Sequence, residues 1–205
     1  MRALDKATHR NPQQTRSILL DAAFKEVYEN GFQAASLDRI LANTQLTKGA
    51  LYHHFPNKQA MGLALVDELI GPAIDQQMIE PLEKTDDPVA LLTEMIDLQI
   101  DCQPEKSMRC GCPLNNLSQE MSANDPEFRE HVKAVFDRWR DALAGALRRG
   151  QDRGNVRRDL ACNQAALFII AVHEGCIGMG KTYQSANLFR DLATQMKFFL
   201  QTLRP

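Results

Sequence analysis

Residues 36–58 leave this chain the least freedom in how it folds. Ser36 is suited to cap a short helix whose apolar positions Leu37, Ile40 and Leu41 share one face, and Asn43, Thr44 and Gln45 then interrupt it. A second helix has to start at once, because Thr47 is a good N-cap and Leu46 before it pairs with Leu51 after it as a hydrophobic staple. Leu51 and Phe55 then face inward, which turns Gly49 and His53 to the opposite side, with Lys48, Ala50 and Tyr52 on its flanks. Such a face suits a nucleic-acid groove. Gly49 lets the backbone approach a base edge or phosphate, and Lys48, Tyr52 and His53 reach those groups with donors. Two short helices joined by a tight turn, the second ended by Phe55-Pro56, make a helix-turn-helix.

The run Thr47-Lys48-Gly49-Ala50-Leu51-Tyr52-His53-His54-Phe55, followed by Asn57-Lys58, resembles the recognition helix of the TetR family of bacterial repressors. The similarity extends upstream through Asp21-Ala22-Ala23 and Gly31-Phe32, and departs from the family pattern at Thr44-Gln45, where a small residue and Gly are usual. The resemblance implies an all-α, homodimeric repressor with no catalytic activity, cofactor or bound metal. A helix-turn-helix DNA-binding domain with an N-terminal arm would occupy 1–58, and a helical regulatory and dimerisation domain 59–205. It also implies double-stranded operator DNA as partner and release by a small-molecule inducer. Ser36, Arg39, Thr47, Lys48, Gly49, Tyr52, His53 and Lys58 are the expected DNA-binding residues.

Charge fits that division. Residues 1–58 carry eight Lys/Arg against five Asp/Glu, a surplus of +3, which leaves −5 for the remainder of a chain whose formal net charge is −2. A basic reader on an acidic body suits a site-specific binder better than one that coats nucleic acid. No apolar run approaches membrane-spanning length, and residues 1–11 lack the apolar segment of a secretory signal, so a cytoplasmic protein with no membrane partner is expected. Five cysteines at uneven spacings suit free thiols better than a disulfide framework.

In chain order, residues 1–14 read as a loose arm in which Arg2, Lys6 and Arg10 could reach phosphates. Residues 15–30 form an amphipathic helix stopped by Gly31. After Pro56, Asn57 caps a fourth helix whose first turn carries Lys58, placed to clamp a phosphate. That helix is expected to break at Gly71-Pro72 and resume. A helix from Pro88, a loop over 103–112, a short helix from Pro113, a long helix from Asp125-Pro126 and two final helices complete the reading. Ala171, Gly175 and Gly178 make a smooth ridge on the penultimate helix, suited to close approach across a dimer axis.

Two rival chemistries share this region. Gly175-Cys176-Ile177-Gly178-Met179-Gly180-Lys181-Thr182 fits the phosphate-binding pattern of nucleotide hydrolases, but that reading needs a strand before it and an Asp-bearing strand elsewhere, which the helical periodicity does not provide. Cys102, Cys110 and Cys112, with His131 or His173, offer thiolate-cluster spacing without any C-x-x-C pair.

A narrower resemblance runs through Gly111-Cys112-Pro113-Leu114-Asn115-Asn116-Leu117 and Glu174-Gly175 to Lys181, which look like a TetR subgroup that includes regulators responding to electrophiles and reactive acyl compounds. Pro113 fits a first helical position, so Cys112 is an N-cap and the helix dipole is expected to lower its pKa, with Lys181 adding to the effect as the subgroup resemblance implies. Cys112 and Lys181 are the expected sensing residues. Trp139, His173 and Tyr183 are the pocket candidates if a reversible hydrophobic ligand is sensed instead.

Overall fold

The computed structural model describes residues 11–101 and 105–205, with the side chains of 102–107 outside the description. Arg2, Lys6, Arg10 and Cys102 therefore lie outside the described residues. Among these, every regular element is helical and no strand occurs. The chain divides into two compact units, Met1–Leu65 and Val66–Pro205.

The first unit holds α1 (Pro12–Asn30), α2 (Leu37–Ala42), α3 (Lys48–His54) and α4 (Lys58–Leu65). Helix α1 begins earlier than the apolar periodicity indicates. Asn11 Oδ1 accepts from the Gln13 N–H at 3.1 Å and Pro12 takes the first turn, so residues 12–14 are helix rather than arm. Leu19, Ala23, Ile40, Leu51, Phe55, Met61 and Leu65 fill the space between the helices. Fully burying each Leu or Phe contributes about 1.5–3 kcal/mol, which outweighs the weak propensity of helices as short as α2 and α3. The Arg16 guanidinium lies 4.4 Å from the Phe55 ring centroid and donates to the His54 carbonyl at 3.2 Å, closing the C-terminal end of α3.

The second unit opens with a π-helical turn, Val66–Ile70, then α5 (Gly71–Ile74), a second π-helical turn, Asp75–Ile79, and α6 (Glu80–Lys84). The expected break at Gly71-Pro72 is absent. Each π turn ends two residues before a proline, Pro72 or Pro81. A proline withholds its N–H and its ring crowds the carbonyl four residues back, so the helix widens instead of stopping. The Glu80 N–H accordingly bonds to the Asp75 carbonyl, five residues behind it. Gly71 is required there, since a Cβ would stand 2.9 Å from the Val66 carbonyl oxygen. Two side-chain contacts tie these turns to the long helix described next, a hydrogen bond between His131 and Asp67 and an ion pair of Arg138 with Asp75.

Then follow α7 (Pro88–Asp101), α8 (Glu105–Cys110), α9 (Pro113–Met121), α10 (Pro126–Arg153), α11 (Cys162–Tyr183) and α12 (Ala186–Gln201). Helix α8 occupies part of the stretch expected to be loop. Asp125 caps α10 by accepting from the Glu127 and Phe128 N–H groups at 3.0 Å each. Phe128, Val132, Val135, Trp139, Leu143 and Leu147 are buried along one stripe of α10, as their spacing requires. Trp139, Leu143 and Leu147 join Ile96 of α7, Ile169 of α11 and Leu200 of α12 in the core.

Helix α11 agrees with the rejection of a phosphate-binding loop and corrects one other expectation. The Gly175 to Thr182 pattern lies wholly within it, so it forms no phosphate-cradling loop, and Leu167 to Val172 are helix rather than strand. By length and composition alone, Cys162–Tyr183 is also apolar enough to cross a membrane, contrary to the reading of the sequence. A third of that apolar window is buried within the unit, and Leu167, Phe168 and Met179 are among its exposed apolar side chains.

Candidate nucleic-acid interface and regulatory cavity

In the first unit, Thr47 Oγ1 accepts from the Ala50 N–H at 3.2 Å, the cap that fixes where α3 begins. Leu51 and Phe55 are each 1% exposed, and Gly49, Tyr52 and His53 consequently face solvent. A Cβ at Gly49 would meet nothing nearer than Thr47 Oγ1 at 3.7 Å, so the fold itself does not demand glycine there. Lys48 Nζ lies 2.7 Å from Asp38 Oδ1, and that hydrogen bond, with the carboxylate charge, raises the ammonium pKa. Burial first, then His53 and Arg16, holds His54 below the ordinary imidazole value.

Besides Lys48 and Thr47, three more of the expected DNA-binding residues have partners inside the unit. Arg39 Nε donates to Glu26 Oε1 at 2.6 Å and its Nη2 to the Ala34 carbonyl at 2.7 Å. Ser36 occupies the N-cap position of α2, but its hydroxyl makes no cap bond; its N–H donates to the same Glu26 oxygen at 3.2 Å. Lys58 Nζ donates to the Gln33 carbonyl at 2.9 Å and lies 5.1 Å from the Phe32 ring centroid. Asn57 Oδ1 accepts from the Ala60 N–H at 2.7 Å and caps α4, as its position suggests. Glu26, which organises Ser36 and Arg39, escaped the sequence reading. Its signal was a carboxylate three residues from Ala23, on the apolar stripe of α1.

In the second unit, Gly111 has φ +78° and delivers Cys112 to the N-cap of α9, with Pro113 in the first turn. The chemistry differs from the expectation, for the Cys112 thiol is pushed up to about 12. Burial is the first cause and the nearby Glu174 carboxylate the second; the backbone N–H groups of Asn115 and Leu114 at the start of α9 act the other way and lose. The helix end supplies its favourable field, but desolvating a thiolate costs more. Lys181 does not activate the sulfur either. Its chain packs against Gly111 and its ammonium donates to Asn116 Oδ1 at 3.1 Å, while Asn116 Nδ2 donates to the Cys110 carbonyl at 2.7 Å. Lys181 thus braces the Cys110-Gly111-Cys112 corner.

Behind that corner, on α11, Glu174 Oε1 stands 3.6 Å from His173 Nδ1, too far for a hydrogen bond, and neither carboxylate oxygen nor Nδ1 has a hydrogen-bonding protein partner. His173 Nε2 is 3.1 Å from Gln99 Nε2, and the ring meets Trp139 edge-on with centroids 5.4 Å apart. Two narrow cavities meet at this histidine. One of about 30 Å³ is lined by Met78, Met95, Trp139, Leu143, His173 and Leu200. The other, about 20 Å³, lies towards Cys176, Ile177 and Phe189. Trp139 and His173 therefore line a cavity, whereas Tyr183, 63% exposed at the end of α11, lines neither. Among the described residues no three His, Cys, Asp or Glu side chains come together as a metal site.

Leu167, Phe168, Met179 and Tyr183 of α11 and Phe198 of α12 are exposed, and a Cβ at Gly175 or Gly178 would meet nothing within 4 Å. The ridge seen in the sequence is thus uncovered.

Residues 19–65 match the family described as bacterial regulatory proteins, tetR family, and residues 88–196 match the tetracyclin repressor-like C-terminal domain. The HTH-type transcriptional repressor DhaR of Mycobacterium sp. (strain GP1) is 26% identical over 169 residues, which is 79% of this chain and 80% of that protein. The transcriptional regulator AcuR of Cereibacter sphaeroides is 30% identical over 148 residues, 69% of this chain and 64% of that protein. A TetR transcriptional regulator from Chloroflexus aurantiacus J-10-FL superposes with a TM-score of 0.80 at 25% identity, covering 93% of this chain and 96% of that one.

Proposed function

The chain belongs to the TetR family of transcriptional regulators, and on that footing we propose that it is a repressor released from its operator by a small molecule held in the second unit. The family binds operator DNA, dimerises and takes small-molecule ligands, and its members are generally not enzymes. The observation that carries the reading is the outward face of α3, where Gly49, Tyr52 and His53 are exposed on a helix fixed by the Thr47 cap. Two copies read successive major grooves of a roughly palindromic site. Lys48, Gly49 and His53 read bases, Tyr52, Thr47 and Lys58 hold phosphates, and Ser36 and Arg39 contribute from the start of α2. The uncovered apolar side of α11 and α12 supports pairing of two chains through those helices.

The cavity beside Trp139 supports a reversible ligand. At about 30 Å³ it holds little more than a water or two, so any larger ligand must part α7 from α11, and that displacement is the signal. Only about 1–3 kcal/mol of coupling is needed. A second reading, modification of Cys112 by an electrophile as in the resembling subgroup, draws support from the bracing of its corner by Lys181. It has to proceed from a protonated thiol, not a resting thiolate.

The test is operator binding across a salt series. Tyr52→Ala with Lys58→Ala should weaken all sequences alike and flatten the salt dependence by about two phosphate contacts, whereas His53→Ala should change sequence preference. Full affinity in the Tyr52, Lys58 double variant would overturn the assignment. Cys112→Ser separates the two inducer readings: under the first it still releases the operator at the wild-type dose, under the second it does not.

A further inference from the structure

Three unpartnered buried atoms stand together in the second unit: Nδ1 of His173 and both carboxylate oxygens of Glu174. The Glu174 side chain is 8% exposed and that of His173 is 16% exposed. A side-chain amide nitrogen only donates, so Gln99 Nε2 donates to His173 Nε2 and the ring proton sits on Nδ1. Nδ1–H is therefore a donor and Glu174 Oε1 an acceptor, 3.6 Å apart. An oxygen about 2.8 Å from each closes the triangle, provided that it accepts from one and donates to the other.

That requirement selects among head groups. A carboxylate or phosphate would sit against the Glu174 carboxylate, an ammonium has no lone pair to offer Nδ1–H, and an ether or ketone has no proton for Glu174. A hydroxyl satisfies both. The walls of the adjoining cavity, Met78, Met95, Trp139 and Leu143, are apolar and would receive the rest of the molecule. Resting on the reading that a small molecule occupies this cavity, we propose that the ligand is a small neutral alcohol whose hydroxyl bridges His173 Nδ1 and Glu174, with its apolar body against Trp139. Sequence distance hides the site, because Gln99 and Trp139 reach His173 from α7 and α10.

Trp139 is the only tryptophan, so its emission reports on the cavity directly. The probes are 1-hexanol, its ether isomer methyl pentyl ether, hexylammonium and hexanoate, titrated into the whole protein. The alcohol should bind about tenfold more tightly than the ether, whose oxygen lacks the proton, and more tightly than either ion. Equal binding of alcohol and ether, tighter binding of an ion, or no binding of any probe would overturn the proposal. Glu174→Met removes the acceptor and replaces an unpaired buried carboxylate with an apolar chain, so it should fold with an undiminished Tm and lose the alcohol-over-ether preference; retention of the preference also overturns the proposal. Operator release is read separately. An alcohol that binds with this preference but leaves the operator bound keeps the site and refutes only its role as the inducer site.

Discussion

Glu26 and Glu174 are equally buried, each 7% exposed, yet their surroundings treat them in opposite ways. Glu26 accepts from Arg39 Nε, from the Ser36 N–H and from Asn30 Nδ2, so one carboxylate pins the start of α2 against the end of α1. Glu174 has the Cys112 thiol beside it and the His173 imidazole 3.6 Å away, and neither meets the geometry of a hydrogen bond to its carboxylate. A buried charge surrounded by donors holds one geometry. One without them is held at a cost of several kcal/mol, which any group bringing a donor can recover. The reading unit is thus built to stay as it is, and the regulatory unit to respond.

The largest expected effect tests the first half of that contrast. Arg39→Ala strips Glu26 of its charged partner and should lower the stability of the first unit by about 2–3 kcal/mol in urea denaturation, discounted from a fully buried pair because Arg39 is half exposed. Glu174→Met should cost nothing by the same measurement. Equal losses in the two variants would erase the distinction.

Next comes Gly49→Ala. The open space around Gly49 means that the substitution should leave Tm unchanged or raised, adding up to about 1 kcal/mol of helix propensity. Operator affinity should nevertheless fall at least about tenfold if the backbone there approaches DNA, and unchanged affinity would remove Gly49 from the reading face.

The helix caps serve as a control, since both units use the same device. Thr47→Ala at α3 and Asp125→Ala at α10 should each cost about 1 kcal/mol, with only the former weakening operator binding.

The last effect belongs to Cys112; it is absent at neutral pH and confined to alkaline pH. Its folded pKa, about 12, lies above the unfolded value of about 8.5. The stability it contributes is therefore fully present below pH ~8.5 and is lost as pH rises towards 12. Cys112→Ala should lose less stability than wild type across that window. A matching pH profile would place the thiol in a less buried setting than Glu174 and burial provide.

Most of the first unit was legible because its decisive bonds are local. Thr47 reaches Ala50, Asn57 reaches Ala60, and the apolar spacing of Leu51 and Phe55 fixes which face of α3 looks outward. Those relations span a single helical turn, so residue order determines them. The same holds for the Asp125 cap and the buried stripe of α10, and for Cys112 at the N-cap of α9. What residue order could not supply was the neighbour across the fold. Cys112 was placed correctly and its chemistry misjudged, because the burial and the Glu174 carboxylate that set its pKa come from tertiary packing. Arg39 was read as a DNA contact, and residue order did not show that Glu26, thirteen residues away, also holds it in place. The Gly175 to Thr182 pattern matched a phosphate loop letter for letter, yet the helical periodicity around it already argued against one, and the backbone is helix throughout. Local hydrogen bonding determined where these helices start and which faces they bury; only the tertiary structure decided which charges were satisfied and which were left waiting for a donor.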